Sequence, residues 1–156
     1  MAAGLALAAE RNSWNKITYI GGTPAIKANS YDWDTTVAIR SNTVELQVAP
    51  SSAFGHPQAL TLKASQITAL VTGPGAWQEA ADTPGAELPS KPHGLFGLLN
   101  RRYMLMMSLY NLLAIFYQGE DGKPAAILLA CASSPPRASL GNALAALSGK
   151  QLVYAK

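Results

Sequence analysis

Residues 35–48 constrain the fold more than any other stretch of the chain. Val37 and Ile39 alternate with polar or small neighbours, Ser41-Asn42 interrupts, and Val44, Leu46 and Val48 then alternate with Glu45 and Gln47. A period of two on either side of a short polar break predicts a tight β-hairpin with one buried face. Slipping one strand by a single residue would turn Glu45 and Gln47 inward, so the register is strongly specified.

The rest of the chain supplies more strands and one helix. Residues 16–20 (KITYI) are β-branched and aromatic, and Gly21-Gly22 ends them, which predicts a strand. Residues 23–34 read as a loop or an irregular edge strand, and Pro50, Gly55 and Pro57 mark a loop over 49–58. Residues 60–72 read as two short strands or one bent strand. Residues 111–117 and 125–132 are apolar runs flanking the polar turn 118–124, a second hairpin. Both runs are apolar on both faces, so this hairpin is central or covered. Leu140, Leu144 and Leu147 then fall on one helical face, with Pro135-Pro136 before them and Gly149 after, predicting a helix over 137–148. Residues 151–156 read as a tail or a last short strand.

Two stretches resist this reading. Residues 73–93 carry Pro74, Pro84, Pro89, Pro92 and three glycines, so they read as a long irregular loop with at most a turn of helix around Trp77. Residues 94–107 are apolar without a clean period. The expected class is therefore mainly β (β+α): a bent antiparallel sheet or partly open barrel capped by one C-terminal helix. Residues 11–156 form a single β-rich domain on this reading.

Composition sets outer bounds. A chain of 156 residues with 49% hydrophobic and 13% charged residues can bury a core as one domain. The net charge is +3, and the basic residues are scattered apart from Arg101-Arg102. Nucleic-acid binders concentrate theirs in stripes, so nucleic acid is not the expected partner. The lone Cys131 lies in an apolar run and reads as a buried small hydrophobe. Residues 1–10, with Ala6-Leu7-Ala8 in small-x-small form, read as a signal-peptide remnant or a disordered start. Export to the periplasm or envelope is favoured over the cytoplasm on that basis. No apolar segment is long enough for a transmembrane helix.

The hairpin 37–46, the phrase 62–70 (LKASQITAL), the late hairpin and the C-terminal helix together resemble bacterial domains with the pleckstrin-homology-like, or GRAM-like, barrel. Residues 110–117, the turn Gly119-Glu120-Asp121-Gly122-Lys123 and the helix end at 144–150 resemble a group of uncharacterised exported bacterial proteins. Members of that group often begin with a phrase similar to Arg11-Asn12-Ser13-Trp14. The resemblance spans residues 11–150 and implies a fold and export. It supplies no catalytic or binding residues.

Chemistry-bearing residues are sparse. His56 and His93 sit apart in proline-bearing loops and read as solvent-exposed rather than as metal ligands. Asp32 and Asp34 flank Trp33, and a turn around a packed tryptophan explains them better than paired acid–base or calcium chemistry. Ser51-Ser52 and Ser133-Ser134 lack a nucleophile-elbow setting, and Gly21-Gly22-Thr23 and Gly73-Pro74-Gly75 fit no phosphate or dinucleotide loop. No catalytic residue, cofactor or metal site is expected. Two interaction surfaces are. One is Leu95, Phe96, Leu98 and Leu99 with Met104, Met106 and Met107 around Arg101-Arg102, suited to a protein partner, self-association or an anionic membrane surface, or else simply core. The other is the loop 73–93, with Trp77 as its anchor, or else plain disorder. The function expected is a non-catalytic interaction module, with peripheral lipid binding as the alternative and an enzyme last.

Overall fold

The computed structural model describes residues 12–26, 33–49, 55–89, 111–132 and 134–156. Within them, eight strands form one sheet: β1 (Ser13–Gly22), β2 (Thr35–Arg40), β3 (Thr43–Val48), β4 (Gln58–Lys63), β5 (Ile67–Thr72), β6 (Leu112–Gln118), β7 (Pro124–Cys131) and β8 (Leu152–Tyr154). Two helices accompany them, α1 (Gly75–Ala81) and α2 (Ser134–Ser148). The strand order is β4-β3-β2-β1-β7-β6-β5-β8.

Both predicted hairpins form. β2 and β3 pair from Thr35↔Val48 to Arg40↔Thr43, leaving Ser41-Asn42 as the turn, and Val37, Val44, Leu46 and Val48 are buried. β6 and β7 pair from Leu112↔Ala130 to Gln118↔Pro124. Their two-sided apolarity has a direct cause. Leu113, Ile115, Tyr117, Ile127 and Leu129 point into the main core, whereas Leu112, Ala114, Ala126, Leu128 and Ala130 point to the other face and meet Ala76, Trp77 and Ala80 of α1. Alanines facing alanines let a helix lie close on a sheet.

The chain connection forces the sheet to curl. β4 and β5 stand six positions apart in the strand order, yet only Ala64–Gln66 joins them. Six flat strand spacings would cover about 29 Å. The linker from Lys63 to Ile67 reaches at most about 14 Å. The sheet must therefore roll until its β4 edge returns towards β5. The concave side then encloses one core to which β1 through β7 contribute, and Leu140 and Leu144 of α2 close it. Trp14 Nε1 donates to Ser139 Oγ at 3.1 Å, pinning α2 to the start of β1.

Strand β1 makes this roll possible. Its first part pairs with β2 (Ser13↔Ala38, Trp14↔Val37), and its second part pairs with β7 (Ile17↔Cys131 to Gly22↔Ile127). Ile17 pairs on both sides. Between Trp14 and Ile17 the register shifts, and Lys16 sits at φ 57°. A bulge with a left-handed residue bends a strand and keeps both Trp14 and Ile17 facing inward, although they are three residues apart. Asn15 and Lys16 are exposed, which breaks the period of two and hides the first part of β1 from sequence inspection.

Three expectations need correction. The sheet is mixed rather than antiparallel throughout, because β8 runs parallel to β5 (Leu70↔Leu152 to Thr72↔Tyr154). A helix that carries the chain back from β7 starts the next strand in the same direction, which is the usual source of parallel pairing. Helix α2 does not cap the fold alone, since α1 covers the opposite face of the sheet. Residues 73–89 hold more regular structure than an irregular loop with a turn of helix around Trp77. They contain α1, and beyond it Glu87 N donates to Gly22 O at 2.9 Å while Gly22 N donates to Glu87 O at 3.0 Å. Burial of Ala76, Trp77 and Ala80 holds this short helix in a region whose prolines and glycines argue against one.

A left-handed backbone costs a β-branched residue most and glycine nothing. Urea unfolding should therefore find Lys16→Gly within about 0.5 kcal/mol of wild type and Lys16→Val destabilised by about 1–2 kcal/mol. An equal loss in both variants would mean that the Lys16 side chain, not its backbone, matters.

Burial also pushes the Cys131 thiol from 9.0 to about 12, with the nearby Arg137 cation opposing the rise. Burial raises Tyr19 and Tyr117 as well. The folded protein thus holds protons that the unfolded chain gives up. Stability should be full below pH 9 and should fall as pH rises from 9.0 towards 12. Urea midpoints measured across that range test this, and Cys131→Ala should flatten part of the decline.

Candidate functional site

The roll of the sheet leaves a gap. β4 pairs only with β3, so its other edge faces the β6–β7 turn without ladder hydrogen bonds. The corner Ala64–Gln66 closes one end of that gap. Gln66 clamps the corner on both sides: its Oε1 accepts from Lys63 N at 2.8 Å, and its Nε2 donates to Gln118 O at 3.0 Å.

The result is an open cleft of about 570 Å³. Leu60 and Leu62 of β4 form one wall, and Tyr117, Pro124 and Ala125 of the late hairpin form another. Thr23 and Pro24, just past β1, and Pro84 and Gly85, just past α1, complete it. Each wall is fixed. Thr23 N donates to Ala126 O at 2.8 Å, and Thr23 Oγ1 accepts from Ala126 N at 3.0 Å. The Gly22–Glu87 bridge holds the segment after α1.

The rim carries the charge. Glu120, Asp121 and Lys123 lie on the β6–β7 turn. That turn is braced from within: Gly119 N donates to Lys123 O, Lys123 N to Asp121 Oδ1 at 3.0 Å, and Gln118 Nε2 to Gly122 O at 3.0 Å. Gly122, at φ 79°, supplies the left-handed residue that the turn needs.

Two phenols lie at the inner side. Tyr19 Oη donates to Pro24 O at 3.3 Å, behind the wall that Pro24 forms. Tyr117 is only 6% exposed and lines the cleft. Burial raises both pKa values, and for Tyr19 the nearby Tyr117 adds to the rise. Both phenols therefore stay neutral at physiological pH, as hydrogen-bond donors rather than bases.

Most of the surface expected from sequence lies outside the described residues. Leu95, Phe96, Leu98, Leu99, Arg101 and Arg102 lie outside the described residues, as do Asp32, His93 and residues 1–10. Trp77 is described, and it is not a surface anchor. At 4% exposed, it packs under α1 with Ile20, Val71, Leu112 and Leu128. His56 is exposed, as expected. Among the described residues no three His, Cys, Asp or Glu side chains gather where they could hold a metal ion, and no helix is long and apolar enough to cross a membrane.

The cleft has no local signature in the sequence. Leu60, Tyr117 and Gln66 each read as an ordinary strand or corner residue, because the cleft arises from the roll that brings distant strands together. The polar turn 118–124 is the one part with a local signal, and that signal indicates a hairpin rather than a site.

Gln66→Ala removes both bonds of the clamp. It should cost about 1–2 kcal/mol in urea unfolding, from two partly solvated hydrogen bonds. Hydrogen exchange at the Lys63 amide should accelerate alongside. A neutral substitution would mean that the corner holds without the clamp.

Comparison of the chain with protein-family models, curated proteins and solved structures returns no match.

Proposed function

We propose that the chain is a non-catalytic interaction module on a pleckstrin-homology-like scaffold, and that the cleft beside β4 is its binding face. The meander β1–β4, the late hairpin β6–β7 and the helix α2 across the rolled sheet support that scaffold. The observation that carries the functional reading is the cleft itself. Its walls are mostly apolar, its rim is polar, and it lies along a strand edge left open by the sheet. Concave sites of this size with apolar walls and a few convergent polar groups are built to bind. Burial holds its one lining phenol, Tyr117, neutral, which suits hydrogen bonding more than acid–base work.

The test is saturable binding of Nile red, an uncharged apolar dye, followed by fluorescence. One site per chain is expected. Leu60→Arg, which puts a charge on the half-buried wall of the cleft, should abolish that site while circular dichroism shows a folded chain. Absence of saturable binding, or binding unchanged in Leu60→Arg, overturns the proposal.

A further inference from the structure

Resting on the reading of the cleft as the binding face, we infer that its occupant is an extended segment of a partner protein, apolar at every second residue, which adds to β4 as a further strand and bonds the backbone of Ala59 and Thr61. The parity of the β3–β4 ladder leads there. Ala64 N donates to Asn42 O at 2.7 Å, so these two residues form a hydrogen-bonded pair at the end of the ladder. Stepping back by two along the register, Val44↔Leu62, Leu46↔Leu60 and Val48↔Gln58 are hydrogen-bonded pairs as well, whereas Glu45↔Thr61 and Gln47↔Ala59 are not. The N–H and C=O groups of Ala59 and Thr61 therefore point away from β3, towards the edge that no described strand pairs. Lys63 belongs to the same series, and its N–H is already used by Gln66 Oε1 at 2.8 Å. Among the described residues nothing bonds the Ala59 or Thr61 backbone from the cleft side. Two donors and two acceptors at alternate residues are the template that an extended peptide completes.

The surroundings favour a single strand over the edge of a second folded copy. One added strand needs about 4.8 Å beside β4. A folded edge brings its own neighbouring strand behind it, where Tyr117, Pro124 and Ala125 of the late hairpin already stand as the far wall. Side chains along β4 set the pattern of the occupant. Leu60 and Leu62 turn to the core side, while Ala59 and Thr61 are exposed. An added strand follows the same pleat, so alternate residues meet Leu60, Leu62 and Tyr117, and those between face solvent. On the turn across from β4, Glu120 and Asp121 outnumber Lys123, so a lysine complements a solvent-facing position better than an acid does.

The probe is a capped hexapeptide of alternating valine and threonine with lysine in place of its first threonine, titrated into the isotope-labelled whole chain. At saturation, amide hydrogen exchange at Ala59 and Thr61 should slow at least about ten-fold, while Leu60 and Leu62, already bonded to β3, should change little. Two further peptides carry N-methyl groups, one on the valines and one on the threonines. Only one set of amides can face β4, so one of these peptides should bind at least about ten-fold more weakly than the other. Thr61→Pro removes an outward N–H and no ladder bond, so it should weaken the unmethylated peptide about 3- to 10-fold with the circular dichroism of wild type. Failure of the hexapeptide to bind, unchanged exchange at Ala59 and Thr61, or equal binding of the two methylated peptides would overturn the inference. Should Thr61→Pro fail to fold, the methylated pair on the wild-type chain still decides. Failure of the peptide with Nile red still bound at the site that Leu60→Arg abolishes removes the strand partner alone. Failure of both removes the binding face as well.

Discussion

The fold depends on one strand with two partners. β1 spends its first residues on β2 and its later ones on β7, and the bulge at Lys16 turns it from one to the other. Without that bend, the β1–β4 meander and the β5–β7 meander would be two small sheets, each with one face to cover. With it they share an interior, and Trp14, Ile17 and Tyr19 all reach that interior from one strand. The short corner between β4 and β5 tightens the same roll from the opposite side. Strand bend and corner length are thus two expressions of one closure, and the cleft is the part that the closure leaves open.

The other face of the sheet is managed by size. Ala114, Ala126 and Ala130 present a low surface to α1, whose own Ala76 and Ala80 meet it, and Trp77 fills the remaining volume. This packing lets a strand pair be apolar on both sides without being exposed on either. It also accounts for a seven-residue helix, too short to be stable by itself, persisting between breakers. The tryptophan that looked in sequence like a loop anchor is the part that secures the helix.

Much of the architecture was legible residue by residue. The alternation around Ser41-Asn42 gave the first hairpin with its register, the two apolar runs around residues 118–124 gave the second, and the leucine spacing with Gly149 gave α2. What failed has a physical pattern. The bulge at Lys16 broke the alternation and concealed the start of β1. The prolines around α1 masked a helix that only tertiary burial supports. The direction of β8 depends on where α2 delivers the chain, and no local signal encodes that. The candidate site was hardly legible at all. Tyr117 and Leu60 are far apart in sequence and unremarkable locally, and only the roll of the sheet makes them neighbours.

The pairing of β1 with β7 also bears on how the chain comes to be folded. As the chain leaves the ribosome, β1 through β4 can form their meander early, from contacts near in sequence. The other edge of β1, with its buried Tyr19 and Ile20, must wait until residues 124–131 have been made. For that interval the nascent chain presents an apolar strand edge with no partner of its own, open to mispairing with another copy or to capture by a chaperone. A fold that joins its two ends through the middle of its sheet is thus most exposed during synthesis, and the late hairpin that builds the cleft is also the segment that ends this exposure.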